Sequence, residues 1–412
     1  MTKEIKRETV DMREYIQGND DNGGAISSIA LAEQDITPVR PENTVNKQAG
    51  FVSFGKDNMF PNDIVGITGK SPINSAIIES AVTYICGKGV RNSGDDPNRY
   101  VGAPNSRETW DEVIKKIAVD YRFFGGFYVQ VIVNKDSTTV SVFHHDFTEV
   151  RIGEIDKYGN PKNFRIAADW TKTTGKNKPA TVERWPGIDK AAKGRAYLLE
   201  YYDYLPGLKY YCLPTYFPSI EYVKADGALG MFYNNSINNG FTPSAIFTFT
   251  SNPDEETKKK HDIATKKAFC GTKGANNFIT FWGESKDVKA TVLPFSASNN
   301  ADVYNNVESI VFQKIISAHR LSSPTLAGVS GGGNLSGNAS EIIDAFVLYN
   351  YTVIEGYRAA ILDRLNEFTK INRVDLLTID ELDVVKKIKE KEGDTPTGVK
   401  ARKFFKKWLS WK

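Results

Sequence analysis

Five consecutive residues, Gly328, Val329, Ser330, Gly331 and Gly332, spell GxSxG, the pattern that presents a nucleophilic serine in α/β-hydrolases. That chemistry needs a strand running into the serine and a helix leaving directly after it, so that the hydroxyl stands clear on a sharp turn. Here a helical pattern and the coil LSSPTLAG precede Ser330, and eight more loop residues follow Gly332 before Glu341. A serine hydrolase using Ser330 is therefore kept as an alternative, and no catalytic residue is assigned. No Gly-Lys-Ser/Thr follows the glycines, so the loop is not a phosphate-cradling Walker A either. His144, His145 and Asp146 are metal-ligand types, but no partner pair with ligand spacing accompanies them, and a polar strand end accounts for them as well. No cofactor or metal is expected. Two basic runs remain. Lys258, Lys259 and Lys260 form a solvated helix face or meet an acidic partner or DNA. In the terminal FFKKWLSWK, with Lys403 just before it, Lys406, Lys407, Trp408 and Trp411 interleave charge and aromatic rings. Such a tail can bind an acidic partner, nucleic acid or a membrane surface, or fold back onto its parent domain. A monomeric nucleic-acid-binding module using this tail is the second alternative.

The elements around the serine loop organise the rest. Val307, Val311, Ile315 and Ala318 recur at helical steps, and Ile342, Phe346, Val353, Tyr357, Ile361, Leu365 and Phe368 do so again. Pro324 ends the first helix or lies just past it. Ser340 is expected to cap the second, with Glu341 and Asp344 in its first turn. Between them Leu321–Ser340 carries no charged side chain. A stretch this long without structure of its own tends to be functional or disordered. Ser330, Gly331, Gly332, Gly333, Asn334, Ser336 and Asn338 offer hydroxyls, amides and backbone freedom but no cation to hold a phosphate tightly.

With 412 residues, 40% of them hydrophobic and 25% charged, the chain is long enough for two or three packed units. A net charge of +3 does not by itself argue for strong nucleic-acid binding. Aromatic residues make up 12%, enough to supply both cores and subunit contacts. Cys86, Cys212 and Cys270 are widely spaced, which argues against a disulfide framework or a zinc site and points to a reducing compartment. The charged N-terminus has no apolar core, and no run approaches the length of a membrane span.

In chain order, residues 1 to about 48 read as a loosely ordered arm. A helix is expected after Ser71 and Pro72, ending at Gly87. A second, capped by Ser106 and stopped by Gly125 and Gly126, carries Trp110, Ile114, Ile117 and Tyr121. The period then changes to two: FYVQVIV and TVSVFHH read as a hairpin, and FTEVRIG, KNFRIAADW, PATVERW and RAYLLEYYDY as further strands. Residues 50 to about 218 are thus α+β. A helix at 219–239 follows. Then come the strand PSAIFTFTS, a helix from Pro253, the strands NNFITFWG and KATVLPF, and the helix at 302–319. After Phe368 the chain becomes charged, with a short helix and a linker expected before the basic tail.

This order of parts resembles the tailed-phage portal proteins over roughly residues 50–370. The run ISAHRLSSPTLAGVSGGGNLSGNASE resembles the family's helix, Pro/Gly turn, Gly/Asn/Ser loop and next helix; NNGFTPSAIFTFT and KKAFCGTKGANNFITFWG resemble its passage into the small α/β part. The resemblance implies an α+β, portal-like subunit, divided as follows: a flexible arm 1–48, an α+β wing 49–218, a first stem helix 219–240, an α/β clip 241–298, a second stem helix 299–319, a tunnel loop 320–339, a long wing helix 340–370 and a charged C-terminal segment 371–412. The short C-terminus departs from members with a large helical crown. The resemblance further implies a non-enzymatic ring of about twelve identical subunits at one capsid vertex, assembled in the host cytoplasm. Double-stranded DNA would pass through it without sequence recognition. Its partners would be the terminase large subunit, the major capsid protein and head–tail adaptors, with no membrane partner.

Overall fold

The computed structural model describes residues 50–92, 102–135, 138–238, 254–260, 301–328 and 339–382, with the short strand stretches 18–19, 25–26, 45–46, 245–249, 278–282 and 291–294. The chain forms two compact units: residues 1–36 with 227–309, and residues 37–226 with 310–412.

The first described elements are β1 (Gly18–Asn19) and β2 (Ala25–Ile26), which pair antiparallel, as do β3 (Val45–Asn46) and β4 (Phe51–Val52). Helix α1 (Phe60–Thr68) follows. Helix α2 (Pro72–Cys86) starts where its sequence demands: the Ser71 hydroxyl accepts from the Asn74 amide, and Pro72 occupies a first-turn position that needs no N–H. It buries Ile77, Ile78, Ala81, Val82 and Ile85. After β5 (Val90–Asn92) comes α3 (Trp110–Phe124). Its cap is Thr109, not Ser106. Thr109 and Glu112 satisfy each other's backbone amides as a reciprocal box, which a serine three residues earlier cannot do. Gly125, at φ 78°, stops the helix.

Next come β6 (Gly126–Val133), β7 (Val140–His145), β8 (Val150–Ile152), β9 (Asn163–Ile166), β10 (Ala180–Arg184) and β11 (Ala196–Tyr202). They form one sheet in the order β7-β6-β11-β10-β9-β8, antiparallel except for the parallel β10–β11 pair. The expected β6–β7 hairpin is present, with Val131 opposite Val142. Strand β6 is buried along most of its length, whereas β10 is exposed at four of its five residues. The core between sheet and helices is aromatic. Phe54 stacks on Tyr211 with centroids 3.9 Å apart, and Phe124 stacks on Phe147 at 4.5 Å. Each fully buried ring of this kind contributes about 1.5–3 kcal/mol of transfer free energy.

Helix α4 (Ile220–Asn238) takes the chain out of the larger unit. In the smaller unit β12 (Ala245–Phe249) pairs parallel with β13 (Phe278–Trp282) and antiparallel with β14 (Thr291–Pro294), and residues 255–260 are helical. Helix α5 (Ala301–Ala318) brings the chain back. Helix α6 (Ala339–Tyr349) begins one residue before Ser340, so Ser340 lies inside the helix and not at its cap. The second helical run is not continuous α-helix: Asn350–Ile354 form a π turn, after which α7 (Glu355–Ile371) resumes. The chain then adds β15 (Leu377–Ile379), which pairs antiparallel with β5. No described helix is long and apolar enough to cross a membrane.

Candidate functional site

The loop residues Ser330, Gly331, Gly332, Gly333, Asn334, Ser336 and Asn338 lie outside the described residues, as do Lys403, Lys406, Lys407, Trp408 and Trp411. The structure defines the ground on which the loop stands. Helix α5 ends in a Schellman turn: the Leu321 amide donates to the Ile316 carbonyl at 3.2 Å, with Arg320 left-handed at φ 56°. Of the two positions expected for Pro324, the structure shows the second: it lies past the end of this helix and opens a separate 3-10 turn, Pro324–Ala327, closed by Gly328 at φ 68°. The near side of the loop is then fastened twice. The Tyr84 hydroxyl of α2 donates to the Leu326 carbonyl at 2.5 Å, and its ring meets Phe346 of α6 edge-on at 5.0 Å. The Ser322 hydroxyl donates to the Ala345 carbonyl at 2.5 Å. The approach to the loop and the helix that follows it are thus held by one tyrosine and one serine.

Beneath this lies a buried polar chain. Arg122 of α3 donates one guanidinium N–H to the Tyr357 hydroxyl at 2.6 Å and another to His319 Nδ1 at 2.8 Å. A guanidinium can only donate, so Nδ1 is the acceptor and His319 is a neutral imidazole carrying its proton on Nε2. That N–H donates to Asn74 Oδ1 at 2.7 Å. The Asn74 amide donates in turn to Thr68 Oγ1 at 3.2 Å, so the Thr68 hydroxyl donates to Tyr216 (3.2 Å), and Tyr216 donates to the Phe123 carbonyl (3.2 Å). The Tyr216 ring stacks on His319 at 4.9 Å. Burial, with the Arg122 charge beside it, holds His319 well below the usual histidine pKa. Among the described residues no carboxylate is hydrogen-bonded to Arg122; hydroxyl and imidazole acceptors and the Tyr357 ring, 4.8 Å below the guanidinium carbon, surround it.

The same first turn of α2 also holds α4. Asp226 accepts from the Ser71 hydroxyl at 2.6 Å and from the Ile73 amide at 3.2 Å, a carboxylate set on the positive end of the helix. Both helices through which the chain leaves and re-enters the larger unit are therefore rooted on residues 71–74. At the other end of α2, Arg358 donates to the Ile85 carbonyl at 2.9 Å and to that of Tyr84, capping the last turn.

Of the other sequence candidates, Lys258 pairs with Glu255 at 3.1 Å and Lys260 with Glu256 at 2.8 Å on their own helical turn, which leaves Lys259 as the exposed cation of the three without an ion pair among the described residues. His144 is bonded to the buried Asp120 at 2.7 Å, and His145 lies 3.5 Å from Glu149, so each faces a carboxylate of the fold. No group of three metal-ligand side chains occurs among the described residues. Arg122, Asn74 and Asp226 escaped the sequence reading, because each is one polar residue on an otherwise apolar face and its partner lies far away in the chain.

No protein-family model matches the sequence, and no curated protein does. Solved structures do. A chain in the neck of a native gene transfer agent (GTA) particle, computed with C12 symmetry, superposes with a TM-score of 0.53 at 10% identity, covering 82% of this chain and 91% of that one. A chain in the virion of the native GTA particle gives 0.52 at 11%, covering 80% and 87%. A crystal structure of an HK97 family phage portal protein from Corynebacterium diphtheriae gives 0.48 at 13%, covering 76% and 95%, and the fold assignment does not depend on it. The chain thus has an α+β fold that it shares with chains of the GTA particle's neck and virion.

Proposed function

We propose that this chain is a portal subunit. Copies of it close into a ring, about twelve to the turn, at one vertex of a capsid, and double-stranded DNA passes through the centre during packaging and ejection. Residues 49–218 act as the wing, 219–240 and 299–319 as stem helices, 241–298 as the clip and 340–370 as the long helix behind the loop 320–339. The clip docks the terminase large subunit and later the head–tail adaptors, and the wing side meets the major capsid protein. The subunit resides in the virion after assembly in the host cytoplasm, and it performs no catalysis of its own.

The observation that carries this reading is the fold likeness to a chain in a twelve-fold symmetric particle neck, extending over 82% of this chain and 91% of that one. A closed ring requires two different faces of the subunit to meet, and exposed apolar side chains such as Ile310, Leu348 and Tyr351 supply material for such contacts. The loop fits DNA passage chemically: its hydroxyls and amides contact phosphates without the charge that would hold them. Native mass measurement with electron microscopy of the purified chain tests the proposal. A ring with an axial opening is expected. A species that stays monomeric at high concentration and ordinary salt refutes it.

A further inference from the structure

The cation-free loop raises the question of where this chain carries its positive charge. Between residues 154 and 195 there are ten basic and five acidic side chains, while the whole chain is only +3. The sheet topology gathers much of this surplus. Strands β9 and β10 pair with Ile166 opposite Ala180, so the connection 167–179 lies at the start of β10. Parallel pairing of Glu183 with Tyr197 puts the start of β11 at that same end, and antiparallel pairing of Ala196 with Ile132 adds the end of β6. The Gly194 amide donates to the Val133 carbonyl at 2.8 Å, fixing the corner. One end of the sheet thus presents Lys135, Lys176, Lys178 and Lys193, all exposed and none in an ion pair among the described residues. Extending the register sets Ala180 level with Gly194, so Lys178 and Lys193 sit on adjacent strand ends, with neighbouring strands ~4.8 Å apart. The 170–182 stretch has no carboxylate and carries Thr171, Thr173 and Thr174 beside its lysines.

We propose that this sheet end binds the phosphate backbone of double-stranded DNA, without reading sequence. Two observations choose that partner over an acidic protein. First, protein interfaces depend on a few large apolar or aromatic anchors, and none of the exposed large hydrophobic residues lies between 160 and 203. Second, lysine ammoniums with threonine hydroxyls are groups that contact phosphate, whereas the arginines at this end are already engaged, Arg195 with Glu183 at 3.1 Å and Arg165 with the Thr181 hydroxyl, and no exposed ring is placed there to stack on a base. The inference is separate from the portal reading, since it concerns the sheet and not the loop.

The test measures binding of a fluorescent 30-base-pair duplex to the full chain by anisotropy across a salt series, comparing wild type with Lys176→Gln/Lys178→Gln/Lys193→Gln. Each lost phosphate contact lowers the slope of log K against log salt by about 0.9, so the triple variant should lose roughly 2–3 from the slope and about two to three orders of magnitude in affinity near 0.1 M salt. The Lys→Arg triple should keep the wild-type slope, and Lys258→Gln/Lys259→Gln/Lys260→Gln should leave it unchanged. If the glutamine triple fails to fold, the single variants carry the test, at about 0.9 each. Equal slopes for wild type and the triple variant overturn the proposal, as does a wild-type chain that binds no duplex at low salt. Loss of poly-glutamate binding with duplex binding intact overturns it in favour of an acidic protein. A chain that forms rings yet shows any of these outcomes refutes the DNA surface and leaves the portal reading standing.

Discussion

Replacing Asn74 by leucine tests whether the polar chain beneath the loop is a structural root. Asn74 is fully buried, and leucine has a similar volume, so the cavity cost is small. What is lost is specific. The His319 Nε2–H loses its acceptor and Thr68 Oγ1 loses its donor, both inside the core. A buried polar group left unpaired costs about 1–3 kcal/mol, so two give about 2–6 kcal/mol, a large part of a net stability of roughly 5–15 kcal/mol. Urea unfolding should show the midpoint falling with an unchanged slope. The His319→Ala partner mutation completes a double-mutant cycle with an expected coupling of about 1–2 kcal/mol. A midpoint within about 0.5 kcal/mol of wild type, or a coupling near zero, would show that the chain of bonds contributes nothing and that packing alone holds α5 in place.

Because the folded-state pKa of His319 lies well below its unfolded value, the unfolded chain binds the extra proton, so this contribution is complete above about pH 6.5 and lost below it. Urea unfolding should show wild type losing about 1.4 kcal/mol between pH 7.5 and 5.5 relative to His319→Gln; parallel pH profiles for the two would refute the neutral buried imidazole. Gly87→Ala should destabilise by about 2 kcal/mol or more in the same assay, since a Cβ there would sit 2.2 Å from the Asp380 carbonyl oxygen at a backbone φ of 56°. Exchanging Gly331, Gly332 and Gly333 for lysine should leave ring assembly intact, judged by native mass, and reduce packaged genome per particle by adding phosphate grip; an unchanged packaging yield removes the role proposed for the loop.

Local chemistry was the legible part of this chain. Ser71-Pro72 and Gly125 mark helix ends through interactions that span only a few residues, and the alternation in FYVQVIV needs one face buried and little else. The misses share a cause. Ser106 and Thr109 both look like caps, and only the reciprocal bond of Thr109 with Glu112 decides between them. The π turn at Asn350–Ile354 inserts a residue into the helical register without breaking the apolar pattern, so Tyr349, Asn350, Val353 and Ile354 can all be buried together. Strand β15 is three residues long and becomes a strand through pairing with β5, almost 290 residues earlier. At the site the loop composition was visible, but its foundations were not. The bond from Arg122 to His319 spans 197 positions and that from Asn74 to His319 spans 245, and no periodicity encodes such a meeting.

Rooting α4 and α5 on the single turn 71–74 makes the stretch between them behave as a cassette. Whatever chain is strung from Gly227 to Ser309, its two ends arrive at sockets that the larger unit builds from its own residues. Substitutions confined to that cassette leave the socket residues Ser71, Asn74, Asp226 and His319 and their bonds in place, so the insert can be altered without refounding the rest.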